Sequence, residues 1–221
     1  MEDIRFNITS LRQQIPASVK IVAVSKTKPI EDIMTAYEAG QRIFGENRVQ
    51  ELVSKSELLP VDIKWHLVGH LQTNKVRQLI PFVSMIHSAD SLRLLEEISC
   101  ESERAGRVTE CLLQFHIAME ETKSGLSYEE AVQILGSPDA KRLKGIRIRG
   151  VMGMATYTDD QGLIREEFRH LKIYYDQLKE TFFKEDSLFS EISMGMSGDY
   201  QIAIEEGTTM VRIGSLIFGE R

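Results

Sequence analysis

Lys20-Ile21-Val22-Ala23-Val24-Ser25-Lys26-Thr27-Lys28-Pro29 joins an apolar, β-branched run to two closely spaced lysines. The run has the composition of a buried strand, read here from Ile21 to Ser25. Pro29 stops it, because proline has no N–H to give to a ladder. The reading is a strand that delivers one amine, Lys26, to its own C-terminal end. An amine beside apolar surroundings loses its proton more readily and becomes a nucleophile for aldehydes. The alternative is a solvated lysine at a strand end, and the rest of the chain decides between the two.

Outward from this stretch, strand and helix signals alternate. A helix opened by Pro29 carries Ile30, Ile33, Met34 and Tyr37 at helical spacing, and Gly40 caps it. Arg42 to Asn47 follows, then a helix from Arg48 to about Leu58. Lys64 to Gly69 is the third strand, with a helix from Gln72 to Leu79. Val83 to His87 is the fourth, with Ser91 to Ala105 as its helix. Cys111 to Ile117 is the fifth, followed by Tyr128 to Leu135. Ile148 to Met154 is the sixth, and Gln161 to Phe183 is a long amphipathic helix. Glu191 to Ser197 is the seventh strand with its loop, Asp199 to Glu205 a short helix, and Met210 to Gly214 the eighth strand. One further helix, Ile4 to Gln13, precedes them all. Alternation of this kind forces parallel pairing, since each helix is a crossover. Eight units predict a single (β/α)8 TIM-type barrel with an extra N-terminal helix, one domain over residues 1–221. An open doubly wound sheet is the competing fold. It usually carries a glycine-rich turn after the first strand, and the turn here, Ser25 to Pro29, has no glycine.

The composition narrows the function classes. The net charge of −6 argues against general affinity for nucleic acid or anionic membranes. Cys100 and Cys111 show no metal-ligand spacing and no disulfide framework, which reads as cytosolic thiols. The N-terminus lacks the pattern of a signal peptide, and no apolar run is long enough to span a bilayer. A soluble cytoplasmic protein is the expectation.

In an α/β barrel the chemistry sits at the C-terminal ends of the strands. Those ends carry Lys26; Glu46 and Asn47; His70 and Asn74; His87; Met152 to Ala155; Ser193 to Ser197; and Arg212, Gly214 and Ser215. The loops Ser193-Met194-Gly195-Met196-Ser197-Gly198-Asp199 and Arg212-Ile213-Gly214-Ser215 offer hydroxyls and backbone amides that suit a phosphate. They follow the last two strands, the usual phosphate site of this architecture. A strand-end lysine opposite a phosphate cradle fits two chemistries. One is a Schiff-base aldolase acting on a phosphorylated sugar, with Glu46 as acid/base. The other is a Schiff base with pyridoxal 5′-phosphate.

The motifs carry a resemblance that decides between these. Ala23 to Pro29, Phe44 to Glu51, Trp65 to Lys75, Lys123-Ser124-Gly125, Arg149 to Ala155, Ser193 to Asp199 and Val211 to Gly219 together resemble the pyridoxal-phosphate homeostasis protein family, also described as proline synthetase co-transcribed homologues. The resemblance spans nearly the whole chain in order. It implies a barrel similar to the N-terminal domain of alanine racemase, with a carrier and regulator of pyridoxal 5′-phosphate rather than an enzyme. Carried over by position, Lys26 forms the Schiff base, and Ser197, Gly214 and Ser215 bind the phosphate. Arg212 faces the pyridine nitrogen, and Asn47 lies near the ring hydroxyl. Lys28, Lys75 and Lys123 match family lysines without an assigned role. The implied partners are apo forms of pyridoxal-phosphate enzymes, and a monomer is expected.

The residues agree with a non-catalytic role. An arginine is always charged and accepts no proton, so it makes the ring a poorer electron sink than a carboxylate does. Racemases tolerate it, but draw a second base from an added β-domain, and this chain is expected to lack one. An amino-acid racemase is therefore the alternative, and an interaction scaffold a third reading. His66 and His70 have zinc-like i, i+4 spacing, but on a strand and loop that spacing does not converge. Met152, Met154, Met194 and Met196 read as barrel packing or cofactor contact, and Trp65 as core.

Overall fold

Eight parallel strands alternate with helices and close in sequence order into a barrel. The computed structural model describes residues 3–119 and 124–220. The chain begins with α1 (Ile4–Gln14) and continues through β1 (Lys20–Val24), α2 (Ile30–Glu38), β2 (Ile43–Glu46), α3 (Val49–Ser56) and β3 (Lys64–Leu67). A 3₁₀ turn (Thr73–Lys75) leads into α4 (Val76–Leu79), then β4 (Val83–Ala89), α5 (Leu92–Arg104), β5 (Thr109–Phe115) and α6 (Tyr128–Gly136). A second 3₁₀ turn (Ala140–Arg142) precedes β6 (Ile146–Gly153), α7 (Gln161–Phe182), β7 (Glu191–Ser193), α8 (Tyr200–Glu205), β8 (Met210–Ile213) and α9 (Ser215–Phe218). The predicted barrel and its extra N-terminal helix are both present.

Strand alternation divides the apolar residues into two layers. Outward side chains such as Ala23, Phe44, Trp65, Val151 and Val211 are buried under the helices. Inward ones, Val22, Met85, Leu112, Met152 and Met210, form a separate cluster that fills the lumen. Met152 and Met154 therefore belong to the barrel interior, whereas Met194 joins the outer layer and Met196 is exposed. Below the lumen cluster, Lys20, Glu191, Arg149 and Glu110 form linked ion pairs. Helix α1 lies outside the barrel. Asp3 caps it by accepting from the amides of Arg5 and Phe6, Ile4, Ile8 and Leu11 are its buried face, and Asn7 reaches the carbonyl of Ile217 at 3.1 Å.

Some element boundaries differ from the sequence reading. β1 runs from Lys20 to Val24, but its ladder continues one step further, with Ser25 N donating to Gly45 O at 3.0 Å. β7 ends at Ser193, because Gly195 turns the chain with φ +92°. A Cβ at that glycine would stand 2.6 Å from the Ala203 Cβ, so no other residue fits there without displacement. Helix α9 has only four residues, too few to leave a periodic signature in sequence.

Gly69, just past β3, lets the chain pass against the backbone of Asn47. A Cβ there would lie 2.3 Å from the Asn47 carbonyl oxygen. Gly69→Ala is expected to cost about 1–3 kcal/mol, read as a lower urea midpoint at unchanged slope. An unchanged midpoint would show that this contact yields freely.

Candidate functional site

Lys26 is half-buried at the C-terminal end of β1. Its neighbours in sequence are held from helix α3 and from β2. The Ser25 hydroxyl donates to Glu46 Oε1 at 2.6 Å, and Lys55 Nζ donates to the same oxygen at 2.8 Å. Glu46 is fully buried, and its other oxygen, Oε2, has no hydrogen-bond partner. Burial pushes the Glu46 carboxyl above its usual range, against the pull of Lys55 and Ser25. It sits in the wall outside the lumen, with one oxygen tied to Ser25 and Lys55. Continuing the β1–β2 register from Val24↔Gly45 brings Lys26 level with Asn47.

On the other side of β1 runs β8, paired from Lys20↔Met210 to Ala23↔Ile213. Arg212 points into the lumen and is 4% exposed. Its Nη1 donates to the Ser193 carbonyl at 2.8 Å and to Ser193 Oγ at 2.7 Å, and its Nη2 donates to the Gly153 carbonyl at 3.0 Å. Burial pulls its pKa down to about 10, so it stays cationic at neutral pH. No carboxylate among the described residues is within ion-pair distance of it.

From Ser193 a chain of polar contacts crosses the lumen. Ser193 Oγ lies 3.0 Å from His87 Nδ1, and His87 Nε2 lies 2.9 Å from His66 Nδ1. Counting donors fixes its direction. Arg212 only donates, so Ser193 Oγ accepts from it and has one proton left to give. That proton goes to His87 Nδ1, the proton of His87 then sits on Nε2, and His66 Nδ1 accepts it. The opposite polarity leaves the Ser193 proton without an acceptor among the described residues. Burial pushes His66 down to about 3, and burial, His66 and Arg212 push His87 well below its ordinary value, so both rings are neutral.

The loops after β7 and β8 meet at one hydrogen bond, Gly214 N to Ser197 Oγ at 3.3 Å. Ser197 is half-buried, Gly214 follows β8, and Ser215 opens α9 with an exposed side chain. The six predicted residues thus belong to four consecutive strands and the segments that follow them: Lys26 after β1, Asn47 after β2, Ser197 after β7, Arg212 on β8, and Gly214 and Ser215 just after it.

The other lysines separate. Lys28 Nζ donates to the Phe218 carbonyl at 2.7 Å, tying the Lys26 turn to α9. Lys75 lies in the 3₁₀ turn after β3, and Lys123 lies outside the described residues. His66 faces His87, whereas His70 pairs with Asp90 at 3.5 Å, so the two do not share a site. Sequence reading did not single out Lys55. In sequence it is one of an ordinary i, i+4 Glu–Lys pair, and only packing shows that it is buried.

The family model of the alanine racemase N-terminal domain matches residues 1–221, which sets the class of barrel. The pyridoxal phosphate homeostasis protein of Aquifex aeolicus is 38% identical over 203 residues, covering 91% of this chain and 87% of that protein. The human protein of the same name is 38% identical over 214 residues, 91% of this chain and 76% of its own. The structure of PipY from Synechococcus elongatus without PLP superposes with a TM-score of 0.91 at 36% identity, covering 98% of this chain and all of that one. PipY with PLP bound gives 0.88 at 35% identity and the same coverage. An alanine racemase of Clostridium difficile shares the fold at 14% identity, with a TM-score of 0.78 over 56% of its length. The chain belongs to the pyridoxal phosphate homeostasis protein family.

The neutral histidines generate a pH prediction. Their folded pKa values lie below the unfolded value of about 6.5, so the unfolded chain binds more protons. Their contribution to stability is complete above pH 6.5 and is lost as pH falls toward about 3. The slope is up to about 1.4 kcal/mol per pH unit for each ring. Glu46, with its raised pKa, acts in the opposite sense as pH rises through the carboxylate range. His66→Gln is expected to flatten the fall in urea-unfolding free energy between pH 6.5 and 4.5. An unchanged slope would mean that the histidines are already protonated in the fold.

Proposed function

We propose that this chain holds pyridoxal 5′-phosphate reversibly, as a carrier and regulator, over residues 1–221 acting as one domain. The observation that carries the reading is the meeting of three features on neighbouring strands. They are a half-buried amine at Lys26, a hydroxyl-amide cradle at Ser197 and Gly214, and a buried guanidinium at Arg212 with no carboxylate within ion-pair distance among the described residues. The names of the relatives and the PLP-bound PipY structure support it.

Bound pyridoxal 5′-phosphate supplies an aldehyde that condenses with an amine and a ring that can hold charge. Lys26 Nζ would be the amine that condenses with that aldehyde, with loss of water. Ser197 and Ser215, with the amide of Gly214, would hold the phosphate. Arg212, pinned by Ser193 and Gly153, would offer a fixed positive charge to the pyridine nitrogen, and Asn47 would serve the ring hydroxyl. Two nearby ionisable side chains are held by other residues, Glu46 through one oxygen by Ser25 and Lys55, and His87 by Ser193 and His66. That supports a carrier rather than a racemase. A monomer that exchanges cofactor with apo enzymes in the cytoplasm fits this reading, and the free thiols Cys100 and Cys111 suit a reducing compartment.

Borohydride reduction of the loaded protein is expected to fix the cofactor mass to the peptide containing Lys26. Fixation at Lys28 alone, or none, would sink the assignment. Ser197→Ala should weaken pyridoxal 5′-phosphate by about 1.5–3 kcal/mol for a lost bond to an anion and leave pyridoxal nearly unaffected. Equal weakening of both counts against the phosphate site. With L- or D-alanine, exchange of the Cα proton with solvent deuterium should not exceed that given by free cofactor. Fast exchange that vanishes in Lys26→Ala would overturn the carrier reading in favour of a racemase.

A further inference from the structure

Helix α3 presents Glu51 and Lys55 one turn apart, toward the turn that carries Lys26. Lys55 is 6% exposed. Its ammonium has three N–H groups, and each has an acceptor: Ser25 O at 2.8 Å, Glu46 Oε1 at 2.8 Å and Glu51 Oε1 at 2.7 Å. Glu51 Oε1 also accepts from the Thr27 amide at 2.6 Å. The Ser25 carbonyl belongs to the peptide group before Lys26, and the Thr27 N–H belongs to the one after it. A single ion pair therefore grips both peptide planes around the Lys26 Cα. Rotation of those two planes is the φ and ψ freedom of Lys26, so the pair removes both.

Two further features point the same way. Thr27 has φ +64°, a left-handed conformation that a β-branched residue adopts only where its surroundings enforce it. The Glu51 contact is made at that residue. Lys28 N donates back to Ser25 O at 3.0 Å and closes the turn, and its side chain anchors the far side on Phe218. Stability alone is a weak reason to bury Lys55. A buried ion pair is often replaceable by apolar groups at no loss, and here it leaves Glu46 Oε2 without a partner.

We propose that the Lys55–Glu51 pair is a positioning clamp for Lys26, which fixes the backbone of the turn so that the amine is presented to the barrel mouth in one orientation. The inference rests on the reading of Lys26 as the amine that condenses with the cofactor aldehyde and expels water. The clamp acts on capture of the aldehyde, not on docking of the phosphate and ring. A group that merely neutralises buried carboxylates would affect both through the fold.

Glu51→Ala is the informative variant, because it removes the grip on Thr27 while Lys55 keeps its bonds to Ser25 and Glu46. Two quantities are measured: the rate of covalent capture, followed by absorbance with pyridoxal 5′-phosphate, and the affinity for 4-deoxypyridoxine 5′-phosphate, which lacks the aldehyde. Glu51→Ala should slow capture tenfold or more and leave the affinity for the aldehyde-free analogue within about twofold. Glu51→Gln, whose amide oxygen still accepts from Thr27, should recover capture to within about threefold of the native rate. In the apo protein, hydrogen exchange at the Thr27 amide should speed up in Glu51→Ala and not in Glu51→Gln. Capture at the native rate in a folded Glu51→Ala protein overturns the clamp alone, as does a parallel loss of capture and analogue affinity. If the native protein captures no aldehyde at Lys26, the carrier reading falls and the clamp falls with it.

Discussion

The pairing of β8 with β1 is the constraint on which the rest depends. It turns a row of parallel strands into a closed wall and leaves no unpaired edge among the eight. It also makes neighbours of the two ends of the chain. Lys26 follows the first strand, and Gly214 and Ser215 follow the last, yet they sit side by side at one rim. Helix α9 then returns to the Lys26 turn, where Lys28 holds its final carbonyl.

Closure has an electrostatic consequence. A lumen filled by Val22, Met85, Leu112, Met152 and Met210 is a poor solvent for charge, yet Arg212 stands at its upper end. The wall meets that cost with carbonyls: Ser193 and Gly153 accept from the guanidinium, and the Ser193 hydroxyl passes the polarisation on to His87 and His66. The Ser193 hydroxyl proton meets an acceptor in this chain only with the tautomers set in one direction. The interior therefore carries one fixed positive charge beside two neutral rings, on the side of the barrel where the candidate site opens.

The strands and crossovers of the barrel are legible in the sequence. Alternating β-branched runs and amphipathic segments announced the strands and crossovers, because burial on two faces and burial on one stripe leave different periods in sequence. Lys26 stood out because an amine ended an apolar run. Ser197, Gly214 and Ser215 stood out because small and hydroxyl residues followed the strands where this architecture binds anions. Helix α9 was not legible, since four residues carry no period. Nor was the link from Arg212 to His66, because four strands contribute to it and nothing in the local sequence of any one of them points to the others.

By itself the sequence determined the order of elements, their parallel pairing, and which residue types stand at each strand end. Those follow from local chemistry: side-chain period, proline and glycine punctuation, and the short reach of a crossover. Only the tertiary structure decided which of those residues meet. Glu46, a candidate acid/base in sequence, is buried in the wall with one oxygen held by Lys55, and Lys55, a surface-type lysine in sequence, is buried against both Ser25 and Glu46. The reason is physical: whether a charged side chain reacts or supports depends on which acceptors packing brings within hydrogen-bond reach, and those acceptors lie on other strands and helices.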